Sequence, residues 1–323
     1  MTALIALAPA AGATAAPSRS FAACLVTDAG SVSDPGVARL AETGLAAAES
    51  QGVTGRVIRS PSPSTDEAAL RSCVESGADL TVGLGYLMAG AVNAVATAYP
   101  HHVFVIVDAS VTTLPSRPAN VQGVLFRSEQ AGYLVGYAAG LWTKERHGKV
   151  VGTVAGLKIP PVDSYIAGFE AGAKRAFPGV KTLRRYVNTV TNETKCRAAA
   201  LDQIDDGSLV ELQVAGPCGA GVISAARGRG VFAIGTDTDQ SALGPAVMTS
   251  AVKHIDLAVE SAILSARNGT LRTGKNVVYG AKKDGVGYGA WSPAVPARIR
   301  NAVARQLQLI KDGVVRDIPS TVD

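Results

Sequence analysis

VFAIGTDTDQ, residues 231–240, begins with four apolar residues that predict a short buried strand and continues into a loop with Asp237, Asp239 and Gln240. In an open parallel sheet, ligands bind at the carboxyl ends of the strands. A carboxylate at such a strand end can accept hydrogen bonds from a neutral polyol. Taken alone, the decapeptide is explained better by a solvated turn with a helix cap, because Asp is common there. The residues at other strand ends are therefore needed to choose between a ligand-binding role and a helix-capping role for these acids.

Polar groups follow several further predicted strands. Asp28, Asp108 and Lys253 come directly after apolar strand patterns, as Asp237 does. Each of these residues, taken singly, is more often a cap than a ligand group. Because all of them fall on carboxyl edges, we interpret them together as a binding site.

Strand and helix patterns alternate along the chain, which indicates an α/β fold with parallel sheets. The alternation restarts at Lys149, so we predict two lobes, each a parallel sheet flanked by helices, with a cleft at the hinge between them. Residues 128–144 are apolar nearly all round and predict a helix buried between layers. Residues 277–280 and 285–288 resemble a hairpin. The predicted boundaries are residues 1–20 for a signal peptide, 21–147 plus 246–272 for the N-terminal lobe, and 148–245 plus 273–323 for the C-terminal lobe.

The composition is that of a folded protein, with 47% hydrophobic and 18% charged residues. The net charge is +5, but the basic residues are scattered, which argues against a nucleic-acid partner. We find no nucleophile elbow, no Cys/His pair at a readable spacing and no set of metal ligands. The sequence therefore predicts a protein that is not an enzyme and that uses neither a metal nor a cofactor.

The N-terminus predicts export. Residues 3–16 form an apolar, Ala-rich run that is followed by polar residues, as in a signal peptide with a small-residue cleavage site, and the run is too short to span a bilayer. Residues 21–24 (FAAC) resemble a lipoprotein cleavage box. Residues 21–27 also predict the first strand, which cleavage there would shorten. A lipid anchor at Cys24 stays open at this point.

Four cysteines, an even number, fit an oxidising compartment and can pair in three ways. We predict Cys24–Cys73, because Cys24 lies in the first predicted strand and Cys73 in the helix (residues 67–76) after the second, and these are neighbours in a βαβ unit. We predict Cys196–Cys218, because Cys196 opens a helix and Cys218 follows the next strand. The alternative is four free buried thiols, as in a cytosolic protein, against which the export signal argues.

Several motifs together resemble the basic membrane protein family, the purine-nucleoside-receptor-like substrate-binding proteins of ABC transporters. The resemblance runs through the whole mature chain and is specific only as a set. Its motifs are CLVTDAG at 24–30, VGLGY at 82–86, FVIVD at 104–108, SEQAGYLVG at 128–136, GFEAG at 168–172, IGTDTDQ at 234–240, TSAVK at 249–253 and IKDG at 310–313. The resemblance implies a two-lobed type I periplasmic-binding-protein fold whose lobes close over a ligand in the hinge cleft.

The resemblance also implies roles for individual residues. Asp237 and Lys253 match the residues that bind ribose hydroxyls in the family, and Asp28 and Asp108 match acids that help hold the ligand. We expect further ligand contacts from Val37, Ala38, Gly85, Tyr86, Leu157 and Val190.

Two positions depart from the family pattern. The family has Ser-Phe-Asn where this chain has Gly36, Val37 and Ala38, and Val190 aligns with a second family aromatic. Stacking of a base on an aromatic side chain is worth roughly 1–3 kcal/mol. Unless Tyr86 or Tyr165 supplies a ring instead, the sugar end is kept and the base end is altered. The ligand is then either a different molecule with a polyol part or a weakly bound nucleoside.

The expected function is that of an exported solute-binding protein of an ABC importer, at the extracellular face of the cell membrane. It would act as a monomer with an ABC permease as partner, and would capture a nucleoside or nucleoside-like small molecule without converting it. The alternative is a sensor or regulatory protein of the same fold that binds little ligand and acts through protein contacts.

Overall fold

The computed structural model describes residues 19–27 and 35–323, so the signal-peptide prediction and Asp28 lie outside the described residues. The described chain forms two six-stranded sheets, which confirms the predicted α/β class. In this part of the chain, no helix is long and apolar enough to cross a membrane.

The first sheet has the strand order β11-β5-β4-β3-β1-β2, and all its strands are parallel. Its strands are β1 (Ala22–Thr27), β2 (Thr54–Arg59), β3 (Leu80–Leu84), β4 (Val103–Val107), β5 (Val121–Phe126) and β11 (Asn276–Tyr279).

The second sheet has the order β12-β10-β9-β8-β6-β7, in which only the edge strand β12 is antiparallel to its neighbour. Its strands are β6 (Val150–Ala155), β7 (Lys181–Tyr186), β8 (Ser208–Val214), β9 (Phe232–Asp237), β10 (Val247–Lys253) and β12 (Val286–Tyr288).

Helices cover both sheets, as expected for strands that are apolar on both faces. The helices of the first lobe are α1 (Pro35–Glu49), α2 (Asp66–Glu75), α3 (Ala89–Ala98) and α8 (Ile255–Arg267), and those of the second lobe are α4 (Ser128–Glu145), α5 (Pro160–Ala176), α6 (Glu193–Asp205), α7 (Gly219–Arg229) and α9 (Ala297–Lys311). Each lobe has its own hydrophobic core: Leu25, Val82 and Val105 are buried in the first, and Leu134 and Phe169 in the second.

The sheets divide the chain differently from the boundaries predicted above. Strand β10 belongs to the second sheet, although residues 246–272 were assigned to the first lobe. Helix α4 packs in the core of the second lobe, although it lies before residue 147. The hairpin prediction is wrong, because β11 pairs with β5 of the first sheet and β12 with β10 of the second. An alternating pattern identifies a strand, but it does not show which sheet the strand joins.

Within residues 35–323, the chain crosses between the lobes three times. The first crossing, at Arg127, joins β5 to α4, and the second, at His254, joins β10 to α8. The third crossing follows Tyr279 and joins β11 to β12. Three crossings at one side of the molecule create a hinge, and the cleft opens beside it.

Helices α4 and α5 contact each other along their backbones. Gly132, Gly136 and Gly140 of α4 lie one turn apart, and a Cβ atom at Gly136 would overlap the carbonyl oxygen of Phe169. In return, a Cβ atom at Gly168 of α5 would overlap the carbonyl oxygen of Glu129. Only glycine permits so close an approach. The predicted burial of the helix over residues 128–144 is thereby confirmed.

Both disulfides have the predicted partners. Cys24 of β1 is bonded to Cys73 of α2, and Cys196 of α6 is bonded to Cys218 at the end of the loop that follows β8. A lipid thioether at Cys24 would need the same sulfur atom that the disulfide uses. The disulfide and a lipid anchor at this residue therefore exclude each other.

Candidate ligand-binding cleft

A cleft lies between the lobes where the strands of both sheets end, with about 840 Å³ of empty space that includes its open mouth. Eight of the ten residues predicted to contact the ligand line it. They are Val37, Gly85, Tyr86, Asp108, Leu157, Val190, Asp237 and Lys253. Their proximity to one another follows from the parallel topology, in which the carboxyl ends of neighbouring strands share one edge.

The strand ends place the polar groups on the floor of the cleft. Strand β4 ends at Val107, so Asp108 is the first residue beyond it, whereas β9 and β10 end at Asp237 and Lys253 themselves. Asp108 comes from the first sheet, and Asp237 and Lys253 come from the second. The floor is therefore shared by the two lobes.

Lys253 is the centre of this floor. Its Nζ donates to both carboxylate oxygens of Asp108, at 3.1 and 2.9 Å, and lies 3.3 Å from Oδ1 of Asp237. The Lys253 side chain is 2% exposed, while those of Asp108 and Asp237 are 18% and 24% exposed. The ammonium is thus buried, whereas the carboxylates are partly exposed and line the cleft.

The neighbouring carboxylates favour the charged form of Lys253. Burial alone lowers the pKa of Lys253, but the carboxylates of Asp108 and Asp237 outweigh it and raise that pKa above its ordinary value. Burial raises the pKa of Asp108, and Lys253 opposes this rise. The Lys253 ammonium therefore stays charged at neutral pH.

Tyr165 of α5 completes the floor. Its hydroxyl donates to Oδ1 of Asp237 at 3.2 Å and lies 3.4 Å from the carbonyl oxygen of Ala251. Burial raises the pKa of Tyr165 far above its ordinary value, and the negative charges of Asp237 and Asp108 raise it further. The phenol is therefore a neutral hydrogen-bond donor that orients Asp237.

The backbone is strained at both acids. Asp108 has φ 66° and Asp237 has φ 64°, in the left-handed region that residues other than glycine seldom adopt. Strain of this kind persists only where the surrounding structure enforces it, and it clusters at functional sites. Both acids contact Lys253 from these backbone conformations.

The remaining residues that the sequence singled out are not part of the described cleft lining. Asp28 lies outside the described residues, and Ala38 is 7% exposed and is not part of the cleft lining. Asp239 accepts hydrogen bonds from the backbone N–H groups of Ser241 and Ala290, at 3.0 and 3.1 Å. The interpretation as a turn residue thus applies to Asp239, although it stands only two residues from Asp237.

Sequence reasoning missed about half of the lining. The residues it left out of the ligand set are Leu87, Ile159, Pro161, Val162, Tyr165, Val214, Ala215, Gly216 and Pro217. Most of them lie at the end of β8 or in the connections and first helical turns that follow β6 and β8, where a proline stands at the first or second position of the next helix. That apolar loop-to-helix pattern at a carboxyl edge is the signal that would have found them.

The chemistry of the floor suits neutral hydroxyl groups. Carboxylate oxygens accept hydrogen bonds from hydroxyls, and these bonds are strong because the acceptor is charged. Among the described residues, no group of three or more His, Cys, Asp or Glu side chains is arranged to hold a metal ion. Within the described lining there is likewise no Ser, Thr, Cys or His side chain to act as a nucleophile or its base.

Comparisons with known proteins show the family and the fold. Residues 21–318 match the family described as Bmp, ABC transporter substrate-binding protein PnrA-like. The CD4+ T-cell-stimulating antigen of Listeria monocytogenes is 31% identical over 93% of this chain and 88% of its own. Basic membrane protein A of Borreliella afzelii is 28% identical over 76% of each chain. The ABC transporter solute-binding protein of Aeropyrum pernix K1 has the same fold, with a TM-score of 0.79 at 24% identity over 93% of this chain and 94% of its own.

Proposed function

The chain belongs to the Bmp family of PnrA-like ABC transporter substrate-binding proteins, and on that premise we propose that it captures a neutral, nucleoside-like molecule by its hydroxyl groups. It releases that molecule unchanged to an ABC permease. The observation that supports this proposal is the cleft floor, where Lys253 lies between Asp108 and Asp237.

The charges of the floor favour a neutral ligand. Two carboxylates surround one ammonium, so the described part of the floor has an excess of negative charge. A phosphorylated ligand would be repelled, whereas hydroxyl groups can donate to the carboxylates. The proposal therefore includes nucleosides and related glycosides and leaves out nucleotides.

The cellular setting is part of the proposal. Two disulfides fit an oxidising compartment, and the apolar run over residues 3–16 fits an export signal. We place the mature protein at the extracellular face of the membrane, as a monomer beside its permease.

Ligand binding by isothermal calorimetry tests the function, with Asp237→Asn as the variant and Asp239→Asn as the matched control. Both acids follow β9, but only Asp237 lines the cleft. We expect a panel of neutral glycosides to contain a ligand whose affinity falls about tenfold or more in Asp237→Asn, because a charge-assisted hydrogen bond is lost. The affinity should be unchanged in Asp239→Asn. Equal loss in both variants, or none in either, would refute the assignment of the floor.

The regulatory alternative makes the opposite prediction in the same experiment. A sensor that acts through protein contacts would show no heat of binding with any glycoside of the panel. It would also show no rise in melting temperature, since a ligand that binds the native state stabilises it.

A further inference from the structure

The second-lobe wall of the cleft is apolar, whereas the floor is charged. The second-lobe wall is formed largely by aliphatic side chains from the end of β8, from the loops after β6 and β7, and from the helical turns that follow β6 and β8. Its members are Leu157, Ile159, Val162, Val190, Val214 and Pro217. We infer that the ligand carries a saturated, aliphatic substituent on its hydroxyl-bearing part, as an alkyl glycoside does, rather than a nucleobase. This inference rests on the proposed function.

The wall offers little to the polar edges of a base. The carbonyl oxygens of Val190 and Val214 already accept hydrogen bonds from the N–H groups of Cys218 and Gly156, both at 2.9 Å. A base carries several donors and acceptors around its ring. Each one that is buried against this wall without a partner weakens binding by about fivefold or more.

The wall also lacks a stacking surface. Tyr165 is the aromatic residue that the second lobe contributes to the described lining, and it is 1% exposed with its hydroxyl bonded to Asp237. Val37 and Val190 stand where the family resemblance implies aromatic rings. A base that loses a stacking partner loses about fivefold or more in affinity on that side.

An aliphatic group finds apolar contacts on both sides of the cleft. Val37, Tyr86 and Leu87 line it from the first lobe, and Leu87 is 45% exposed. Tyr86 offers a ring from this side alone, so a base would be stacked on one face and would meet the aliphatic wall on the other. Closing of the lobes over an alkyl chain would bury this exposed leucine together with the opposite wall. Each methylene group buried in this way raises affinity by about fourfold.

Three probes separate an aliphatic from an aromatic substituent: methyl β-D-ribofuranoside, hexyl β-D-ribofuranoside and adenosine, each titrated into the full chain by calorimetry. We expect the hexyl glycoside to bind at least about tenfold more tightly than either of the others. Val190→Phe should reverse the order, because the ring offers adenosine a stacking surface and fills the space for the alkyl chain. Val314→Phe is the control, since Val314 is 67% exposed and lies outside the cleft.

The outcomes separate the inference from the proposed function. If adenosine binds more tightly than the hexyl glycoside while Asp237→Asn weakens both, the inference is overturned and hydroxyl capture stands. If Asp237→Asn weakens neither, hydroxyl capture itself fails. Should Val190→Phe not fold, Val190→Ala serves instead. It should weaken the hexyl glycoside by about fourfold or more and leave methyl riboside unchanged, and equal binding of the hexyl glycoside to Val190→Ala and the parent chain would overturn the inference.

Discussion

One carboxyl group in the second lobe shows how burial changes the pKa of a side chain. Glu211 of β8 is fully buried, and neither of its carboxyl oxygens has a hydrogen-bond partner within the described part of the chain. These oxygens and Oε1 of Gln203 surround the site that a Cβ atom of Gly152 would occupy. Burial raises the pKa of Glu211 to about 8. The acid is therefore neutral at pH 7, and as a neutral acid it has a proton to donate to an amide oxygen nearby.

The raised pKa predicts that stability falls as pH rises. Between the ordinary value of 4.5 and about 8, the folded state binds the Glu211 proton more strongly than the unfolded state does. The stabilising contribution is thus complete below pH 4.5 and is lost as pH rises to about 8, by an amount on the order of 4 kcal/mol. Urea denaturation at pH 5 and pH 8 should show a smaller loss of stability in Glu211→Gln than in the parent chain. The exposed Glu67→Gln should keep the parent's loss, and identical losses in all three chains would contradict the prediction.

The floor of the cleft shows which ligand-binding residues could be predicted from the sequence around each of them. Asp108, Asp237 and Lys253 were predicted from their places at strand ends, and all three line the cleft. Asp239 has the same sequence surroundings as Asp237, yet it accepts backbone hydrogen bonds instead. The two acids also differ in backbone conformation, because Asp237 is left-handed with φ 64° and Asp239 is not. A strand-end pattern contains no such information.

At the scale of elements, the contact between α4 and α5 depends on glycine. Gly136 faces the carbonyl oxygen of Phe169, whereas Gly90 of α3 has nothing within 4 Å of its would-be Cβ atom. We expect Gly136→Ala to destabilise the protein by about 1–3 kcal/mol or more, because the helices must separate. The same substitution at Gly90 should stabilise it by about 0.5–1 kcal/mol through helix propensity.

Chemical denaturation of the two variants measures both effects. Because Tyr165 lies on α5, Gly136→Ala should also weaken ligand binding at the cleft floor, while Gly90→Ala should not. If Gly136→Ala is as stable as the parent chain, the close backbone approach does not matter for folding.

The elements themselves were largely predictable, whereas their partners were not. The alternation of strand and helix patterns predicted the α/β class and most strands, because hydrophobic periodicity depends only on residues that are close together in the sequence. The pairing of β11 with β5 and of β12 with β10 joins segments that are far apart in sequence. The same limit applies to α4 and α5, whose glycine spacing becomes meaningful only when the facing helix is known.

At the scale of the whole molecule, Lys253 links the two lobes. It belongs to the second sheet, and its bonds to Asp108 reach the first sheet across the cleft floor. Its contact with Asp237 stays within the second sheet. The same ammonium therefore has one partner that resists opening of the cleft and one partner that does not.

This asymmetry predicts how the unliganded protein responds to two matched substitutions. Asn tolerates the left-handed backbone that Asp108 and Asp237 share, so Asp108→Asn and Asp237→Asn each remove a charge without adding strain. Removing one partner of a buried ion pair is costly, and at Asp108 opening of the lobes relieves that cost by exposing Lys253 to water. We expect Asp108→Asn to shift the population towards open forms by about tenfold or more, and Asp237→Asn to leave it nearly unchanged. Small-angle X-ray scattering without ligand should then give a larger radius of gyration for Asp108→Asn alone. An equal increase in both variants would mean that the charge on Lys253, rather than the bond between the lobes, controls the opening.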